Sequence, residues 1–194
     1  MNSTTLYGSE TSPFVRRLRL LFSREGVSYS FEKTSTQTPE DRARLKTLSP
    51  IMKIPVLRQG EQTIWDSRQI FRHLQSQGLH RPLSWEEEND LTAIDGLADT
   101  LVNLYLLKRS GFEVPKDSVI GVGHWDRMRL CPEFLSQRIQ EGHFQAWDYP
   151  AMCLYSVLEW TRFRELHYFT FTPEFEAFLD SHQNELGIAE TSPR

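Results

Sequence analysis

The sequence predicts a small α/β domain followed by an all-helical one. Two contrasts carry that expectation. Within the first 78 residues, short β-rich runs are interleaved with segments of helical apolar spacing, whereas beyond residue 87 only helical spacing recurs. Between them, residues 79–86, with His80, Arg81, Pro82 and Ser84, break both patterns and read as a linker. The expected boundaries are therefore 1–78, 79–86 and 87–194.

Leu6 and Tyr7 end a first strand, and Gly8 permits the turn after it. Ser12 is a preferred helix N-cap and Pro13 a preferred first helical residue: the cap oxygen satisfies an orphan amide, and proline has none to orphan. Phe14, Leu18, Leu21 and Phe22 then recur at helical spacing, while Arg16, Arg17, Arg19 and Arg24 take other faces, where an arginine is ordinarily solvated. Gly26 ends this helix. Residues 29–32 alternate as a second strand, and Thr38-Pro39-Glu40-Asp41 opens a short helix that stops before Pro50. Residues 54–57 read as a third strand with a proline near its start, and residues 63–65 as its partner after the Gln59-Gly60-Glu61 turn. Asp66 and Ser67 precede a helix whose Ile70, Phe71 and Leu74 share one face and which stops at Gly78. The resulting order βαβαββα, a parallel crossover followed by a hairpin, is a thioredoxin-like arrangement.

In the second half, Leu91, Ile94, Leu97, Leu101 and Tyr105 line a long helix that ends near Gly111. Residues 112–123, with Pro115, Gly121 and Gly123, read as a loop. A helix over about 125–141 is interrupted at Pro132. Asp148 caps the most apolar helix of the chain, from Met152 to Trp160, which belongs in the middle of a domain. Phe175, Phe178 and Leu179 mark a last amphipathic helix, and residues 187–194 read as a loose tail.

The 194 residues suffice for a sizeable core. A net charge of -4 argues against nucleic acid or an anionic membrane as partner. The first twenty residues do not read as a signal peptide, and no run approaches the roughly 18 apolar residues that span a bilayer. Cys131 and Cys153 show no metal or redox spacing and suit a reducing, cytoplasmic compartment. The six histidines form no ligand pattern, so no metal is expected.

A helix that begins at Pro13 aims unpaired amides and a positive dipole end at whatever lies beside Ser12, and a thiolate is an anion suited to that position. Together, Ser12-Pro13-Phe14-Val15-Arg16-Arg17, Lys53-Ile54-Pro55-Val56-Leu57 and Asp66-Ser67 at a helix start resemble the amino-terminal half of a cytosolic glutathione S-transferase, most closely the serine-type branches. The resemblance covers residues 5 to about 78. It implies glutathione as co-substrate, with Ser12 donating to its thiolate. Pro55 corresponds to a cis-proline that presents the Ile54 backbone to the cysteinyl part. Lys53 would pair with the glycyl carboxylate, Asp66 with the γ-glutamyl ammonium, and Ser67 with the γ-glutamyl carboxylate.

Lowering a thiol pKa from about 8.5 by two units needs roughly 2.7 kcal/mol. A charged hydrogen bond of about 1.5–3 kcal/mol and a helix end of about 0.3–2 kcal/mol supply that. Ser9, Thr11 and Tyr7 compete with Ser12 for the role. The chain departs from the family pattern at Ser49, Met52 and Gln69. The resemblance further implies conjugation of glutathione to a small, largely apolar electrophile, and a homodimer built through the helix after Asp66 and the long helix after the linker. Tyr105, Phe112, Trp160 and Phe163 are candidates to line the electrophile site. Two other functions compete: glutathione-dependent reduction of disulfides or peroxides, and a non-catalytic module that binds a protein partner.

Overall fold

The computed structural model describes residues 3–193. They divide into two compact units, one made of the residues up to 82 together with those from 184 on, the other of residues 83–183. The first unit opens with β1 (Thr4–Gly8), α1 (Pro13–Glu25), β2 (Ser30–Lys33), α2 (Pro39–Leu48), β3 (Val56–Gln59), β4 (Gln62–Trp65) and α3 (Ser67–Ser76). Its sheet has the order β2-β1-β3-β4, with β1 parallel to β2 and antiparallel to β3, and with β3 and β4 joined as a hairpin. This is the expected thioredoxin-like arrangement, with β3 beginning two residues later than its apolar run suggests.

α1 is held at both ends by local chemistry. The Ser12 hydroxyl oxygen accepts from the Val15 amide at 3.4 Å, and Gly26 closes the helix in the left-handed region at φ 63°. Leu6, Val15, Leu18, Leu21, Val56, Leu57, Ile70 and Phe71 form the core of this unit. Each fully buried side chain of this size contributes about 1.5–3 kcal/mol. Gly8 lies directly under α1: a Cβ there would stand 2.5 Å from Cγ2 of Val15. Strand end and helix start therefore touch backbone to side chain.

The second unit is all-helical, with α4 (Trp85–Arg109), α5 (Val119–Gln140), α6 (Tyr149–Phe163) and α7 (Pro173–His182). Ser84 and Glu87 cap α4 reciprocally, at 3.2 and 2.8 Å, so the helix begins inside the stretch expected to be linker. α5 also begins earlier than expected, at Val119, and runs through Pro132. Its glycines are part of the helix start and do not mark a loop. Ser118 accepts from the Gly121 amide at 3.0 Å, and a Cβ on Gly121 would stand 1.9 Å from the Pro115 carbonyl oxygen. α6, capped by Asp148, is buried along nearly its whole length.

Asp90 of α4 and Arg138 of α5 form a two-pronged ion pair at 2.8 and 3.1 Å, with side chains 2% and 10% exposed.

The expectation of a helical domain over 87–194 is corrected at its end. After α7 the chain returns to the first unit, where α8 (Ile188–Thr191) packs on α1. Residues 187–191 are thus an ordered part of the first unit, where the sequence suggests a loose tail. No helix among the described residues is long and apolar enough to cross a membrane.

Candidate functional site

The sheet register assembles the three sequence motifs. Tyr7, Val56 and Trp65 stand in one row across β1, β3 and β4. Gly8, Pro55 and Asp66 each lie one residue beyond that row, at the same end of the sheet. The loop to Ser12, the Lys53-Ile54-Pro55 turn and the start of α3 therefore share one end of the sheet. Both α1 and α3 begin there, each directing its N-terminal amides to that end.

At α1, Ser12 is half-buried and caps the helix. Capping uses a lone pair of the hydroxyl oxygen and leaves its proton available to an acceptor. The neighbouring candidates are engaged differently. The Ser9 and Thr11 hydroxyls bond to each other at 3.1 Å, and Ser9 also accepts from the Thr11 amide. Tyr7 alternates with Gly8 along β1, so its ring lies on the sheet face away from Val15 of α1, 5.8 Å from the Arg44 guanidinium of α2.

The Ile54–Pro55 bond is cis. Pairing of β3 begins only at Val56, which leaves Ile54 outside the ladder. Asp66 takes the unusual φ of 77°, and its Oδ1 accepts from the Arg68 and Gln69 amides at 2.8 and 3.4 Å. Ser67 is buried directly behind it, at 4% exposure, while Lys53 stands exposed. Among the described residues, no group of three or more His, Cys, Asp or Glu side chains is placed to hold a metal ion.

Residues 6–79 match the family model described as glutathione S-transferase, N-terminal domain. Over 74 residues the chain is 39% identical to glutathione S-transferase 4 of Zea mays, a match covering 36% of this chain and 31% of the maize protein. The chain spans about a third of the length of that maize relative.

Solved structures extend the likeness in fold. A glutathione transferase family member from Pseudomonas fluorescens Pf-5, solved with bound glutathione, superposes with a TM-score of 0.80 at 24% identity, covering 99% of this chain and 100% of that one. A glutathione S-transferase from Methylobacillus flagellatus, also with glutathione bound, gives 0.80 at 19% identity with the same coverage. Glutathione S-transferase 1-6 from Anopheles dirus gives 0.79 at 19%, covering 97% of this chain and 93% of that one. The chain therefore has the glutathione S-transferase fold along its length, with a four-stranded mixed sheet and an all-helical second part.

Within the first unit, two features stand out that the sequence reading misses or leaves unexplained. Met52, where the family favours glycine, has φ 54°, a conformation that suits glycine and costs other residues about 1–2 kcal/mol. Arg16 and Arg17 are 2% and 0% exposed, although helical spacing places them on faces expected to be solvated. Arg16 reaches residues 188 and 191, which no reading of the first 80 residues could supply. In the second unit, Tyr105 and Trp160 meet edge to face at 5.4 Å, and the Arg164 guanidinium lies over both Tyr105 and Phe163, whereas Phe112 is 64% exposed.

Proposed function

We propose that the protein is a glutathione S-transferase that conjugates the glutathione thiolate to a small, largely apolar electrophile. The observation that carries this reading is that the starts of α1 and α3 and the cis-proline turn all adjoin the Tyr7–Val56–Trp65 end of the sheet. In this reading the Ser12 hydroxyl donates to the sulfur, and the N-terminal end of α1 adds its positive potential. The Ile54 backbone pairs with the cysteinyl residue as an added strand would. Lys53 meets the glycyl carboxylate. Asp66 meets the γ-glutamyl ammonium through the carboxylate edge turned away from its capping bonds, and the Ser67 hydroxyl with the α3 amides meets the γ-glutamyl carboxylate.

The thiol proton leaves to solvent, and the thiolate attacks the electrophilic carbon, forming the carbon–sulfur bond as the electrophile's leaving group departs with its electron pair to solvent, without a covalent protein intermediate. The reading includes a homodimer through α3 and α4 and a reducing, cytoplasmic compartment, in keeping with the free Cys131 and Cys153.

Calorimetry tests the site. Glutathione is expected to bind with micromolar to low-millimolar affinity, weakened about tenfold or more by Ser67→Ala, which removes a hydrogen bond to a charged group. Absence of binding at ten millimolar would overturn the reading in favour of a partner-binding module. Sedimentation as a monomer at micromolar concentration would remove the dimer from it.

A further inference from the structure

Residues Arg16, Arg19, Leu20 and Ser23 of α1 are spaced i, i+3, i+4 and i+7, which makes them one stripe of the helix. The whole stripe faces the returning segment. The Arg16 Nε donates to Thr191 Oγ1 at 3.3 Å and its Nη2 to the Ile188 carbonyl at 3.5 Å. Arg19 Nη2 donates to the Glu190 carbonyl at 3.1 Å. Further along, Gly187, at φ 90°, approaches so closely that a Cβ there would lie 2.8 Å from Cβ of Ser23 and 3.4 Å from Leu20. The segment thus runs antiparallel to α1, from Ser23 toward the turn that begins at Ser12. Ser12 heads the same stripe, four residues before Arg16, and its carbonyl accepts the Arg16 amide at 3.0 Å.

The geometry points to Arg16 as a positioning residue for thiol activation, with Thr191 and the Ile188 carbonyl as its anchor. This inference rests on the glutathione reading above, in which Ser12 holds the thiolate. A guanidinium that is 2% exposed needs acceptors in place of water, so the helix stays where residues 188–191 supply them. Removing an acceptor draws Arg16 toward other partners, and the first turn of α1 moves with it. A hydroxyl–thiolate bond weakens steeply over a few tenths of an ångström, and catalytic groups are held to about 0.5 Å. The segment that leaves the helical unit at residue 184 therefore sets the acidity of a thiol bound at the opposite end of the sequence.

The test uses the full chain and glutathione itself. The pKa of the bound thiol is read from thiolate absorbance and from the pH profile of kcat/KM with 1-chloro-2,4-dinitrobenzene, in wild type, Thr191→Val, Arg16→Met and Arg16→Lys. Thr191→Val is nearly isosteric, so it keeps the test decisive even where Arg16→Met fails to fold. The expected result is a rise of about 0.5–1 pKa unit in Thr191→Val and Arg16→Met, with the electrophile KM unchanged and partial recovery in Arg16→Lys.

Variants that melt earlier but keep the wild-type thiol pKa would overturn the inference and leave the glutathione reading standing. A wild-type protein that produces no bound thiolate would instead overturn the glutathione reading, and the positioning role with it.

Discussion

In the proposed reading Ser12 does two tasks with one hydroxyl, since capping α1 uses an oxygen lone pair and holding a thiolate would use the proton. Ser12→Ala is accordingly expected to cost about 1 kcal/mol of stability from the lost cap. It should also raise the kinetic pKa of bound glutathione by at least one unit; an unchanged pH profile would remove Ser12 from the chemistry. Met52 is the converse case, a side chain kept where the backbone favours none. At φ 54°, Met52→Gly should raise the unfolding free energy by roughly 0.5–1 kcal/mol in urea titration, strain relief outweighing the extra entropy of glycine in the unfolded chain. Both positions were legible as motif and departure, because turn chemistry and capping are written in adjacent residues. The burial of Arg16 and Arg17 was not, because what surrounds a helix face is decided by chain far away in sequence.

Between elements, the helical unit is tied by polar groups that its apolar spacing does not reveal. α4 and α5 share the Asp90–Arg138 pair, in which hydrogen bonding to Asp90, outweighing the penalty of burial, pushes the guanidinium pKa further up. Asp90→Ala leaves that cation without its main partner and should lower stability by about 3–5 kcal/mol in denaturant unfolding, whereas an apolar replacement of both residues should recover much of the loss. α5 and α7 are joined at Glu174, whose carboxylate accepts from Gln140 at 2.7 Å and from Ser136 at 3.1 Å. The Gln140 bond, then the backbone amide of Glu174 and the Thr172 hydroxyl, bring its pKa from the ordinary 4.5 down to about 2. The folded value lies below the unfolded one, so this contribution is complete above about pH 4.5 and fades as pH falls toward 2. Melting temperatures of Glu174→Gln should therefore fall less steeply than those of wild type across that window; parallel curves would contradict the assignment. The start of α5 at Val119 escaped the sequence reading for a related reason. Gly121 looks like a loop residue until the Pro115 carbonyl that excludes a side chain there is known.

At the scale of the molecule, the order βαβαββα followed by helices was readable, since strand and helix periodicities differ within every short window. The sequence suggests a boundary over residues 79–86 but not the return of the chain to α1, which is carried by a four-residue helix too short to show a period. Ligand binding gives a test at this scale. A protein that binds glutathione only when folded gains about 1.4 kcal/mol at ten times the dissociation constant, so its melting temperature should climb with glutathione concentration, and climb far less in Ser67→Ala, where tenfold weaker binding leaves about 0.4 kcal/mol over the same range. The returning segment also bears on how the chain is made. Residues 83–183 lie between α3 and the piece that completes its unit. At about 5–20 residues per second of synthesis, the nascent sheet and its helices wait roughly 5–20 s for α8 to leave the ribosome. Of the two units, the one begun earlier is thus the one finished later, and its unclosed α1 face is the surface a chaperone would meet.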